Sequence, residues 1–346
     1  MTPSDTIHNI SPRNESLDLI RGICMLLVLA DHTGFGTPHR ETAIYHMLDH
    51  IEVVGFFVVS GFLLKTTSNL WHFIRKSAIR LLIPFIIFDL LYVAVLSTIG
   101  RGWEQGIQDM PTLKWCLIGP GNGPLWFLRA LFIGGVAYAI LDRYIFSKVP
   151  VGVAGIIALL ISIAAFVPAG YTDAHNSIIG GGNMLISKYI NFNISGGLNS
   201  IVWIWLGANM HRYDIPSRIT ASPIKTFVPI LFICICIWTV LSIGHIDLSR
   251  SFIAHPYSFY PAAAAGTFVL FLCACKIKSL PFINYIGRNS LTVLGSHLIF
   301  IAIIVNMIGI TNPYCLLPIT ILTIPVSIIC DRYARAGYSN MLALIR

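Results

Sequence analysis

Apolar positions in this chain fall in long runs, not in the alternating or one-sided patterns of a water-facing domain. Runs of near-spanning length occupy about 17–34, 47–65, 79–99, 125–146, 149–169, 194–211, 224–244, 257–275, 290–310 and 313–330. About 20 apolar residues carry a helix across a bilayer core, so the pattern predicts about ten transmembrane helices. The sixth run is the weakest, because Gly196, Gly197, Asn199 and Asn209 interrupt it. The ninth and tenth are separated only by Thr311-Asn312.

Composition agrees. The 346 residues are 55% hydrophobic and 11% charged, with mean hydropathy +0.76, against roughly 25% charged in soluble domains. The fold class is therefore an all-α polytopic membrane protein. With both termini in the cytoplasm, sixteen of the 23 Lys and Arg residues lie inside and five outside, while Arg21 and Arg129 lie within spans. That imbalance follows the positive-inside rule and fixes the expected orientation. It also accounts for the net charge of +8, which faces anionic headgroups, so a nucleic-acid partner is not required. The expected organisation is a cytoplasmic tail over 1–16, one transmembrane domain over 17–330 and a second tail over 331–346. The first apolar run carries Asp18, Arg21 and Asp31 and lacks a small-residue cleavage site, so it reads as a retained anchor. The longest outside loops, 100–124 and 170–193, are rich in Gly, Asn and aromatics and suit sugar contact or plain connection. No internal repeat is visible. The eight cysteines mostly sit in apolar helices and read as small core residues; the two Cys-x-Cys pairs point ~200° apart on a helix, which is poor metal geometry, and no metal site is expected.

Ionisable groups are costly in lipid and mark sites when they occur there. The first run holds Arg21 and His32, eleven steps apart. On a helix those steps return to within roughly 20° of the start and advance ~16 Å, so both side chains share one face. Asp18, three residues before Arg21, can pair with it. In the second run Glu52 lies near the outer end, where it can orient His32 or sit at the interface. Ser60-Gly61 permits close helix approach, and a nucleophilic Ser60 lacks an adjacent base. Arg75 and Lys76 precede the third run and Arg80 stands at its start; they face inside and offer donors to a phosphate. Trp126 and Arg129 open the fourth run, the first suited to an aromatic belt and the second buried one turn deeper. His297 lies alone in the ninth run, more in the manner of a satisfied structural residue.

Together these segments resemble the acyltransferase 3 family of integral-membrane acyltransferases. The resemblance rests on the Arg-x10-His spacing of Arg21 and His32. It is supported by Gly55-Phe56-Phe57-Val58-Val59-Ser60-Gly61-Phe62, the basic run Arg75 to Arg80 before Pro84, Leu125-Trp126-Phe127-Leu128, and Ile286-Gly287-Arg288-Asn289-Ser290-Leu291 followed by His297. The Leu125 to Leu128 stretch is similar to the branch that includes fucose 4-O-acetylase-like proteins. The resemblance implies a ten-helix core that takes an acyl group, usually acetyl, from acetyl-CoA in the cytoplasm. The acceptor it implies is a hydroxyl of a glycan: a surface polysaccharide, lipopolysaccharide or lipid-linked glycolipid precursor. It further implies a multi-pass protein of the bacterial inner membrane.

On that footing Arg21, with Asp18 or with Arg75, Lys76 and Arg80, holds the anionic donor, and His32 serves as general base on the acceptor hydroxyl. An acyl-histidine intermediate is a variant. Arg129 or Trp126 is the candidate oxyanion donor, and Glu52, Ser60 and His297 are further candidates around the substrate. The competing expectations are a transporter or lipid-carrier flippase using the same buried charges, a different membrane acyltransferase relying on His297, and a non-catalytic membrane subunit.

Overall fold

The first apolar run becomes a helix because its start is capped. The side chain of Asn14 accepts a hydrogen bond from the Leu17 amide, and Glu15 and Asp18 occupy the first turn, where negative charge suits the helix dipole. The computed structural model describes residues 14–345 apart from 40, 66–68, 100–122, 166–192, 245, 249–251 and 254. The N-terminal tail and most of both long loops lie outside the described residues.

The helices are α1 (Glu15–His32), α2 (Ala43–Phe62), α3 (Leu70–Ile99), α4 (Trp126–Tyr144), α5 (Val151–Ala164) and α6 (Ile194–Arg212). They continue as α7 (Ile215–Ala221), α8 (Ile224–Leu241), α9 (Pro256–Ile277), α10 (Pro281–Arg288), α11 (Ser290–Ile303) and α12 (Pro313–Ile345). A two-stranded antiparallel hairpin, Ile246–Asp247 with Phe252–Ile253, bridges α8 and α9. Among the described residues each of the ten apolar runs holds a helix. Among the described residues, seven helical stretches are long and apolar enough to cross a membrane. The runs outside that set are α1, with its four charged residues, the short α5, and the Gly- and Asn-interrupted α6.

Two boundaries differ from the sequence expectation. Helix α3 begins at Leu70, well before the apolar run, because Asn69 caps it through the His72 amide and nothing breaks the helix before Pro84. The basic residues 75–80 therefore ride on a helix and do not form a loop. Helix α12 runs past Asp331 to Ile345, because the end of an apolar run is not a helix stop when Ala, Arg, Met and Leu follow.

Packing is organised around α1 and α6, with α2 between them. The contact of α2 with α6 is made by glycine on both sides. A Cβ at Gly61 would strike the Ile204 backbone, and one at Gly207 would strike the Val58 backbone. In lipid, where apolar side chains gain little by leaving the acyl chains, such close approach is a main source of helix association. Of the residues that made α6 the weakest run, Gly196 and Gly197 meet Trp126 and Ile133 of α4 and Asn199 reaches Ser162 of α5, so α6 is a hub. The same device joins α1 to α10: Gly22 meets the Ile283 backbone and Gly287 the Asp18 backbone. The centre is filled by Leu19, Ile20 and Met25 of α1, Phe57 of α2, Trp203 of α6 and Phe259 of α9.

At the periphery, α8 buries no residue and turns Ile224, Phe232 and Val240 outward. Cys236 on α8 and Cys315 and Cys330 on α12 are exposed with it, so these three are not core residues; Cys24 is buried. Their helices have outward faces that lipid covers, which composition does not distinguish from a core.

Gly207→Leu and Gly61→Leu are expected to lower the melting temperature in detergent or abolish a monodisperse protein. Overpacking costs about 1–3 kcal/mol when side chains must yield, and here the obstacle is backbone. Gly152→Ala, with nothing within 4 Å of the added methyl, should leave it unchanged. Fluorescence-detected size exclusion after heating makes the comparison.

Candidate active site

His32 ends α1 and His297 lies in the middle of α11; the two helices pack together. Their rings meet edge to face, with centroids 5.2 Å apart and planes at 85°. Each ring is held by its own helix. His32 Nδ1 lies 2.8 Å from the Val28 carbonyl oxygen, and His297 Nδ1 lies 3.0 Å from that of Val293. A carbonyl oxygen only accepts, so Nδ1 donates in both rings and each neutral ring keeps its lone pair on Nε2. The i−4 carbonyl, and not Glu52, thus fixes the His32 tautomer. His297 is buried, and its Nε2 has no hydrogen-bond partner among the described residues. His297 is therefore not a fully satisfied structural histidine.

Eleven residues before His32, Arg21 is mostly shielded, with 19% of its side chain exposed. Its guanidinium lies 4.0 Å from Asp18. Asp18 is buried and shared: Arg288 of α10 donates through Nε to its other oxygen at 3.3 Å, and reaches Glu15 through Nη2 at 3.3 Å. Asn284 of α10 also donates to the Glu15 carbonyl at 2.9 Å. The nearer cation at Asp18 is thus Arg288, supplied by a helix distant in sequence.

The remaining candidates have other neighbours. Tyr45 donates to Asp31 at 3.1 Å, and Cys24 meets Ile51 and Gly55, so α1 and α2 run antiparallel. Counting along them sets Glu52 near the level of Met25, about midway between Arg21 and His32 and deeper than an interfacial carboxylate. Its electrostatic neighbours are Asp31, Asp49 and Asp247. Half-buried Ser60 falls near the level of Asp18, beside the α2 contact with α6. Trp126 packs against Gly196 of α6. Arg129 is fully buried and lies over the Phe85 ring of α3, 4.3 Å from its centroid. Arg75, Lys76 and Arg80 are exposed on α3, open to a polyanion. Among the described residues, no group of three or more His, Cys, Asp or Glu is disposed to hold a metal.

Several buried polar residues lay outside the sequence candidates. Asp89, one turn beyond Phe85 on α3, is fully buried, and its signal was a lone carboxylate inside the apolar run 79–99. Asn199 of α6 donates to Ser162 of α5 at 2.9 Å and to the Tyr260 hydroxyl of α9 at 3.1 Å, joining three helices. Nothing in the local pattern announces that meeting. A cavity of about 130 Å³, lined by Asp142, Trp205, Asn209 and Arg212, lies beside α4, α5 and α6, apart from the two histidines.

A family model described as an acyltransferase domain, that of acyltransferase 3, matches residues 14–332. No curated protein matches the chain.

Asp18 is the only carboxylate in reach of both Arg21 and Arg288 among the contacts above, so Asp18→Ala is expected to destabilise the protein more than Arg288→Ala. Asp18→Ala removes the carboxylate that both cations share, whereas Arg288→Ala leaves Asp18 beside Arg21; losing a buried partner costs up to about 3–5 kcal/mol, less here because Arg288 is half in water. Melting temperatures of the two variants in one detergent test the order; equal or reversed losses would count against the shared-carboxylate arrangement.

Proposed function

Because the chain belongs to the acyltransferase 3 family and is a multi-pass membrane acyltransferase, we propose that it moves an acetyl group from acetyl-CoA to a glycan hydroxyl, with His32 as general base and Arg21 positioning the donor. The observation that carries this reading is the state of His32. Its Nδ1 is committed to the Val28 carbonyl, so Nε2 is left as the proton acceptor.

In this reading the Arg21 end of α1 and both termini of a ten-span protein face the cytoplasm, which the positive-inside imbalance supports, and the membrane is the bacterial inner membrane that the family resemblance implies. Arg21, kept charged and oriented by Asp18, contacts the anionic end of the donor there, with Arg75, Lys76 and Arg80 drawing in its phosphates. The ~16 Å from Arg21 to His32 suits a long flexible thioester arm. His32 Nε2 takes the proton of the acceptor hydroxyl as its oxygen attacks the thioester carbonyl, and then returns it to the departing thiolate sulfur. Arg129 and Trp126 are the donors for the developing oxyanion, and Glu52 and Ser60 line the path between the two ends. The acceptor is the sugar of a surface polysaccharide, lipopolysaccharide or lipid-linked precursor. The family match favours turnover over transport.

Inside-out vesicles given labelled acetyl-CoA test this. Wild type is expected to label a glycolipid or polysaccharide fraction. His32→Ala should lower the rate about 10²–10⁴-fold at equal expression, the usual share of a general base. Arg21→Ala should lose labelling at low donor concentration and regain part of it at high. Full activity in His32→Ala would sink the assignment.

A further inference from the structure

His297 has a nitrogen that the fold leaves without use. Its Nδ1 is spent on Val293, and Nε2 is buried without a hydrogen-bond partner among the described residues. A buried acceptor left unmade costs free energy, and such atoms persist where a function uses them. The surroundings do not ask for a polar residue. Val293, Leu294, Leu298 and Ile301 are its buried apolar neighbours along α11, and Phe88 of α3 packs against Gly295. The polar contacts of α11 are made elsewhere: Ser296 bonds Ser327, and Thr292 bonds Asp331, both toward α12. What faces His297 is the ring of His32.

Resting on the general-base reading of His32, we infer that His297 is a positioning residue for the proton that His32 takes. When the acceptor O–H bond breaks and its proton moves to His32 Nε2, the half-buried His32 becomes a cation. The adjacent neutral ring, 5.2 Å away and at 85°, is a dipole whose unprotonated Nε2 carries negative charge density beside that cation. The C–O bond then forms at the thioester carbonyl, the C–S bond breaks, and the proton leaves His32 for the thiolate sulfur. His297 makes and breaks no covalent bond. Its stabilisation exists only while His32 is protonated, so it acts on the reaction step and not on substrate binding. Both rings are locked by i−4 carbonyls on helices packed together, so the partner is preorganised.

The test compares wild type, His297→Leu, His297→Gln, His32→Ala and the double variant His32→Ala/His297→Leu. Each is assayed in membrane vesicles with labelled acetyl-CoA and the native glycolipid fraction, and each is melted in detergent. His297→Leu is expected to lower kcat about tenfold or more with the KM for acetyl-CoA unchanged, and to melt at the wild-type temperature or higher because the unmade acceptor is gone. His297→Gln, which restores an acceptor, should recover part of kcat. The double variant should be no slower than His32→Ala. A wild-type kcat in His297→Leu, or a lower melting temperature with kcat and KM falling together, makes His297 structural and overturns the inference. An active His32→Ala overturns instead the base assignment on which it stands. If no variant turns over, the melting comparison decides: a clear loss of stability in His297→Leu rejects the role and a gain supports it.

Discussion

Burying charge inside a lipid bilayer is the constraint on which this architecture depends. Helix α1 carries Asp18 and Arg21 through a region where an uncompensated ion is expensive. Asp18 is shared between Arg21 and Arg288, and Arg288 arrives on α10, whose Gly287 lets the two backbones touch. The compensation is therefore built from packing. The close approach of α10 to α1 is what brings Arg288 within 3.3 Å of Asp18. The same contact fixes the depth and rotation of α1, and so the height at which His32 meets His297 on α11, the helix that follows α10.

The rest of the bundle solves the same problem by other means. Asn199, Ser162 and Tyr260 satisfy one another across three helices. Trp238 donates to the Met47 carbonyl and ties the peripheral α8 to α2. Thr33, Ser296, Thr320 and the two histidines each return a hydrogen bond to the carbonyl one turn back on their own helix. With no water to supply partners in the hydrocarbon, polar side chains must be closed locally or across a helix contact. The Nε2 atom of His297 is one of several buried polar atoms without a hydrogen-bond partner among the described residues, and its ring is the one that faces His32.

Much of this was legible in the chain. Ten apolar runs yielded ten helical segments, because hydrophobic length is a local property and lipid leaves the backbone no alternative to the helix. Arg21 and His32 stood out because ionisable residues in an apolar run are conspicuous, and helical arithmetic set them on one face. Asp89 was equally conspicuous and was overlooked. Glu52 was read as lying near the outer end, to orient His32 or to sit at the interface, and counting along the antiparallel pair of α1 and α2 sets it near the level of Met25. The exposed Cys236 and the buried Cys24 sit in equally apolar sequence; only their neighbours differ.

The sequence by itself determined the membrane-spanning class, the helical segments, the acyltransferase 3 resemblance and the spacing of Arg21 and His32 along one helix. The class, the segments and the spacing follow from composition and from periods of a few residues, and the resemblance rests on short motifs in order along the chain. Tertiary structure alone decided that Arg288 shares Asp18, that Gly61 and Gly207 join α2 to α6, and that His297 lies against His32. Those pairings link residues 270, 146 and 265 positions apart, respectively. Such contacts depend on which helices pack and at what rotation, and no local pattern encodes that choice.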